Sequence, residues 1–139
     1  MTKAAKRSGR AGAGAGAAGT GPTVTLCRGC CCGTERKHPG IDHAGQVERL
    51  RSGTVDAGRV RVSDCLDACA QSTVAVVSPS TAGRAAGGRP VWLLGVLDRD
   101  TEDEITAWVQ AGGPGVAEPP GLLDLRVFTP ARRIRNQMD

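Results

Sequence analysis

The chain has no tyrosine, one phenylalanine and two tryptophans in 139 residues. Aromatic side chains supply much of the apolar area of an ordinary core. Here the core must come from Val, Leu, Ile and Ala, and so lean a domain gains from a covalent or metal cross-link. Nowhere does an apolar run approach the roughly eighteen residues that a membrane-crossing helix needs. Residues 11–19 are only Ala and Gly, too weakly apolar for the centre of a signal peptide. A cytoplasmic location is therefore expected, and in that compartment clustered cysteines serve as metal ligands more often than as disulfides. The two histidines, His38 and His43, do not sit at Cys-x-His spacing, which excludes a Rieske-type reading. The carboxylates form no paired catalytic constellation, and no glycine loop resembles a flavin- or nicotinamide-binding turn. A substrate-converting enzyme is not expected.

Charge is scarce where a nucleic-acid-binding surface would need it. Lys3, Lys6, Arg7 and Arg10 are the only charged residues before position 23, and they match the net charge of +4 by themselves. The remainder is close to neutral, whereas a nucleic-acid reader carries its basic patch on the fold. Residues 1–22 are a basic Ala/Gly-rich tail for which disorder is expected. Residues 23–111 form the foldable domain. Residues 112–139 read as a Gly/Pro linker and a basic extension ending in Arg132, Arg133 and Arg135.

Within 23–111 the periodicities alternate. Thr23–Leu26 reads as a strand, with Thr and apolar residues in turn. Asp42 caps a helix to Ser52, with Gly53 as its stop and Ala44, Val47 and Leu50 on one face. Val60–Ser63 and Val74–Val77 are further strands. Ser78–Pro90 is a loop with a mobile tip at residues 83–89, and Val91–Leu97 is the fourth strand. Thr101 and Glu104 have the spacing of a capping box, opening a helix with Ile105, Trp108 and Val109 on its apolar stripe. Gly112-Gly113-Pro114 ends that helix, and Leu122–Phe128 offers one more strand. Trp92 and Trp108 are expected in the core. A helix between the first two strands allows them to be parallel, and the next two strands suit an antiparallel hairpin. The fold class is α/β: a thioredoxin-like, mixed four-stranded sheet with flanking helices.

All six cysteines lie in two short stretches, Cys27-Arg28-Gly29-Cys30-Cys31-Cys32 and Cys65-Leu66-Asp67-Ala68-Cys69. Each stretch directly follows an expected strand. Thiolates are soft ligands, and thiols this close bind metal or do redox chemistry. A 2Fe–2S cluster takes four thiolates, which one pair from each stretch would supply. Cys27-x4-Cys32 followed by Val60-x-Val62-x-x-Cys65-x-x-x-Cys69 and an apolar strand resembles the thioredoxin-like 2Fe–2S ferredoxins, a family that includes the small cluster-bearing subunit of respiratory NADH dehydrogenase. The resemblance covers about residues 23–111. It implies Cys27, Cys32, Cys65 and Cys69 as cluster ligands and one-electron transfer to larger redox proteins. It also implies a homodimer or a docked subunit, with no membrane or nucleic-acid partner. Cys30 and Cys31 are additional thiols, and either could replace Cys32. Two other chemistries stay open. Cys27-x2-Cys30 has zinc-site spacing, and the same pair has the spacing of a thioredoxin-type dithiol oxidoreductase.

Overall fold

A computed structural model describes residues 20–28, 40–63 and 73–136. In chain order the elements are β1 (Thr23–Cys27), α1 (His43–Thr54), β2 (Arg59–Ser63), β3 (Ala75–Ser78), α2 (Thr81–Ala85), β4 (Val91–Leu93), α3 (Arg99–Gln110), α4 (Gly121–Asp124), β5 (Val127–Phe128) and α5 (Arg132–Arg135). The expected basic tail falls almost wholly outside the described residues.

One mixed sheet has the order β2-β1-β3-β4-β5. β1 and β2 are parallel, with Thr25 opposite Arg61 and Cys27 opposite Ser63. β3 is antiparallel to β1, and β4 antiparallel to β3, which gives the expected hairpin. The expected four-stranded sheet therefore has a fifth strand, since Phe128 pairs with Trp92 and Val127 with Leu93. Only the end of the Leu122–Phe128 segment is extended, because Gly121–Asp124 instead forms a helical turn.

Alternation along the strands gives the sheet two different faces. Val24, Leu26, Ala75, Val77 and Leu93 point towards α1 and α3 and pack with Leu50, Ile105, Trp108, Val109 and Leu123. Cys27, Val74, Val76 and Trp92 point the other way, where Ile134 of α5 and Phe128 cover them. Both tryptophans are core residues, as their sequence context suggests. Within the basic extension, Arg132–Arg135 form a helical turn that places Ile134 on this second face at 8% exposure.

α1 starts at the expected cap, where the Asp42 carboxylate accepts the Gly45 N–H at 3.0 Å. Its apolar face is narrower than the pattern suggests. Leu50 is buried, Ala44 is exposed, and the polar Gln46 is buried instead. Gly53, the expected stop, lies inside the last turn. A Cβ at Gly53 would come within 2.7 Å of Thr106 Cγ2 on α3. Its glycine thus serves close packing of two helices rather than chain reversal.

The capping box at Thr101 is corrected. α3 starts at Arg99 after the extended residue Asp98. The Thr101 hydroxyl, buried within the first turn, donates to the Asp98 carboxylate. Glu104 accepts the Leu122 N–H at 3.2 Å and so ties α4 to α3. The helix ends as expected, in a Schellman pattern: Gly113 N–H to Trp108 O at 2.9 Å and Gly112 N–H to Val109 O at 3.1 Å. Gly112 and Gly113 have φ of 116° and 74°, a region that L side chains rarely enter.

The Ser78–Pro90 loop is also more ordered than expected. Ser80 Oγ accepts the Gly83 N–H at 2.8 Å and opens α2. Gly83, the first residue of the expected mobile tip, is buried beneath the Pro114 and Gly115 backbone, while residues 84–87 and 89 are exposed. Gly113 and Pro114, read as linker from sequence, are likewise buried.

Candidate metal centre

β1 and β2 end side by side. The last residue of β1 is Cys27, opposite Ser63 at the end of β2. Its N–H donates to Val74 O at 3.0 Å, and the Arg28 N–H donates to Ser63 O at 3.0 Å. The parallel ladder thus continues one residue past Cys27. Cys65 follows Ser63 by two positions in the sequence and lies outside the described residues. Because β1 and β2 run the same way, Cys27 and Ser63 stand at the same end of the sheet.

Cys27 is 2% exposed and belongs to the cluster of Val74, Val76, Trp92 and Ile134 on the sheet face away from α1 and α3. Of the expected ligands Cys27, Cys32, Cys65 and Cys69, only Cys27 falls among the described residues. Cys30 and Cys31, the alternatives to Cys32, lie outside them too, as does His38. His43 is the first residue of α1, as its sequence position suggests. Among the described residues no three His, Cys, Asp or Glu side chains converge on a metal position.

The residue next to Cys27 opens a polar chain that the sequence did not disclose. Arg28 lies on the helix side, where its guanidinium donates to Cys27 O at 3.1 Å, to His43 O at 3.2 Å and to Gln46 Oε1 at 2.7 Å. Gln46 is fully buried, and its amide nitrogen donates to Val96 O at 3.0 Å and to Glu102 Oε2 at 3.4 Å. Arg49 then closes on Glu102 with a fork, Nε to Oε1 at 2.6 Å and Nη2 to Oε2 at 2.9 Å. The hydrogen bond to Glu102 holds the Arg49 guanidinium above its usual range, against the opposing effect of burial. A carboxylate that is 3% exposed needs such partners. The chain of contacts ties the end of β1 to α1, to the segment after β4 and to α3. Glu102 is one of three consecutive acids in the first turns of α3, and Gln46 is a polar residue within α1. Neither has a local signal for burial. The only available hint is a polar residue, Gln46, four positions before the core residue Leu50 on the same helix face.

No family model matches this chain, and neither a curated protein nor a solved structure matches it. No helix among the described residues is long and apolar enough to cross a membrane.

Proposed function

We propose that the protein is a 2Fe–2S electron carrier of the thioredoxin-like ferredoxin kind, with Cys27, Cys32, Cys65 and Cys69 holding the cluster. The observation that carries this reading is the parallel pairing of β1 with β2, with Cys27 opposite Ser63. It supports the reading because Cys27 and Ser63, 36 residues apart in sequence, end adjacent strands at one end of the sheet, and Cys65 follows Ser63 by two positions in the sequence. The order β2-β1-β3-β4, with one parallel and two antiparallel pairings, supports the finer thioredoxin-like assignment.

When bound, the cluster supplies one-electron redox chemistry. The protein's own residues hold, shield and present it. Cys27 donates a thiolate from the end of a rigid strand, and its burial limits access of water. Arg28 places a fixed positive charge beside that strand end and braces it against α1. A carrier of this kind works by docking on larger redox proteins, either as a homodimer or as a subunit, and carries no substrate site of its own.

Iron and acid-labile sulfide analysis, with an absorption spectrum of the purified protein, tests the reading. About two iron and two sulfide per chain are expected, with a red-brown colour. A colourless protein holding stoichiometric zinc after anaerobic reconstitution overturns it in favour of a structural zinc site. Cys69→Ala should lose or severely perturb the cluster. Cys32→Ser with unchanged visible and EPR spectra would move the second ligand to Cys30 or Cys31. The dithiol oxidoreductase reading needs an accessible attacking thiol at Cys27, and the burial of that residue speaks against it.

A further inference from the structure

Away from the cysteine end, on the far side of the sheet from β2, the second face opens into a cavity of about 570 Å³ between β4, β5 and α5. Arg89, Trp92, Phe128, Arg132, Arg135 and Asn136 line it, together with prolines from the flanking segments, and among the described residues no carboxylate does. Its size falls in the range of small-molecule sites, of order 300–1,000 Å³. Arg132 and Arg135 are three residues apart on one helical turn and so share a face. Ile134, buried on the sheet, anchors that turn and fixes where both guanidinium groups emerge. Neither arginine forms an ion pair with any of the described residues, whereas Arg49 has its carboxylate in place.

Part of the wall is aromatic. Trp92 and Phe128 meet edge to face, with centroids 6.1 Å apart and planes at 78°. Phe128 is only partly buried. The indole nitrogen of Trp92 is buried without a hydrogen-bond partner and is closed off from the cavity itself. Guanidinium groups clasp phosphate or carboxylate oxygens bidentately and also stack on flat π-systems. An amide, such as Asn136, offers both a donor and an acceptor.

We propose that this cavity is a binding site for a small phosphate-bearing molecule with a flat unsaturated part. Arg132 and Arg135 hold the phosphate, and Phe128 and the prolines face the flat part. The site lies two strands away from β1 and stands whether or not the cysteines hold a cluster.

The test is a titration of the full-length protein with ADP as probe, read from the indole N–H resonances in a ¹⁵N-labelled sample. Trp108 is an internal control, since its indole donates to Ala117 O in the other core. ADP should move the Trp92 resonance and leave that of Trp108 in place. Inorganic phosphate at equal ionic strength should bind more weakly. The double variant Arg132→Ala/Arg135→Ala should lose at least about tenfold in affinity, with the Trp108 resonance confirming that it is folded. A Trp92 resonance that stays still at millimolar ADP overturns the proposal. So does equal affinity in the double variant, and so does tighter binding of a glutamate-rich peptide, which would assign the surface to an acidic protein partner.

Discussion

At the scale of single residues, the least replaceable polar group among the described residues is Glu102. It is 3% exposed and accepts a forked pair of hydrogen bonds from Arg49. Its second oxygen also receives the Gln46 amide. Glu102→Gln keeps the shape and removes the charge, so Arg49 keeps a single neutral acceptor where it had a charged fork. A loss of about 2 kcal/mol is expected in urea unfolding, the range of a hydrogen bond to a charged group. The pH dependence follows from the raised Arg49. A group whose folded pKa lies above its unfolded value contributes fully below the unfolded value and loses its contribution only as pH climbs through the folded one. For an arginine that window lies beyond the working range. The gap between wild type and Glu102→Gln should therefore stay constant between about pH 7 and pH 10. A gap that closes by pH 10 would mean that some other group sets the stability of this contact.

At the scale of elements, the helix pair α1–α3 makes a sharper prediction than its composition suggests. Glycine in a helix interior ordinarily costs up to about 1 kcal/mol against alanine, so Gly53→Ala should stabilise α1 on propensity alone. Packing reverses the sign, because the new Cβ would sit 2.7 Å from Thr106 Cγ2. The expected outcome is a loss of about 1–2 kcal/mol from overpacking. Adding Thr106→Ala should restore it, since the methyl that collides is gone; a double-mutant cycle on urea midpoints measures the coupling. On the other sheet face, Ile134 is the apolar residue of α5 that covers Trp92. Ile134→Ala should cost about 2 kcal/mol and shift tryptophan emission to longer wavelength as Trp92 meets water. Wild-type emission in this variant would show that the C-terminal turn does not seal that face.

The same elements show what a sequence can and cannot disclose. The strands around Thr23, Val60 and Val76 were legible because alternation and apolar runs report a buried pleat directly. So was the end of α3, because two adjacent glycines before a proline leave few other conformations. The start of α3 was not, because Asp98 and Thr101 are both good cap residues and Glu104 satisfies the box spacing from the wrong one. Local sequence offers both registers, and tertiary contacts choose: Thr101 is buried, and Glu104 is drawn to Leu122. The helical turn at Thr81–Ala85 was hidden for a related reason. Gly83 weakens any helix reading, yet only a residue without a Cβ fits under the Pro114 carbonyl.

For the whole molecule, the sheet divides two tasks between its faces. The helix side carries the larger core and the polar chain from Arg28 to Arg49, while the second side carries Cys27 and the cavity beside α5. Of the six cysteines only Cys27 lies among the described residues, and it stands at the end of the strand that the alternation before it predicts. The role of Arg28 was not legible, since its partners Gln46 and Val96, the latter through Gln46, are distant in sequence and only the fold brings them to it. In the proposed carrier this arginine has a consequence that can be measured. Reduction adds one negative charge at the cluster, and a guanidinium fixed beside Cys27 favours the reduced form by Coulomb attraction. Arg28→Gln should therefore lower the reduction potential. Arg28→Lys keeps the charge but not the fork that reaches His43 O and Gln46 together. The lysine variant should hold a potential close to wild type while losing thermal stability like the glutamine variant. The two substitutions thus separate charge from bracing: potential follows the charge at position 28, and stability follows the hydrogen bonds. Redox titration followed by EPR, alongside thermal unfolding, reads both quantities on the same samples. An unchanged potential in Arg28→Gln would remove Arg28 from the tuning of the centre and leave it only the task of tying β1 to α1.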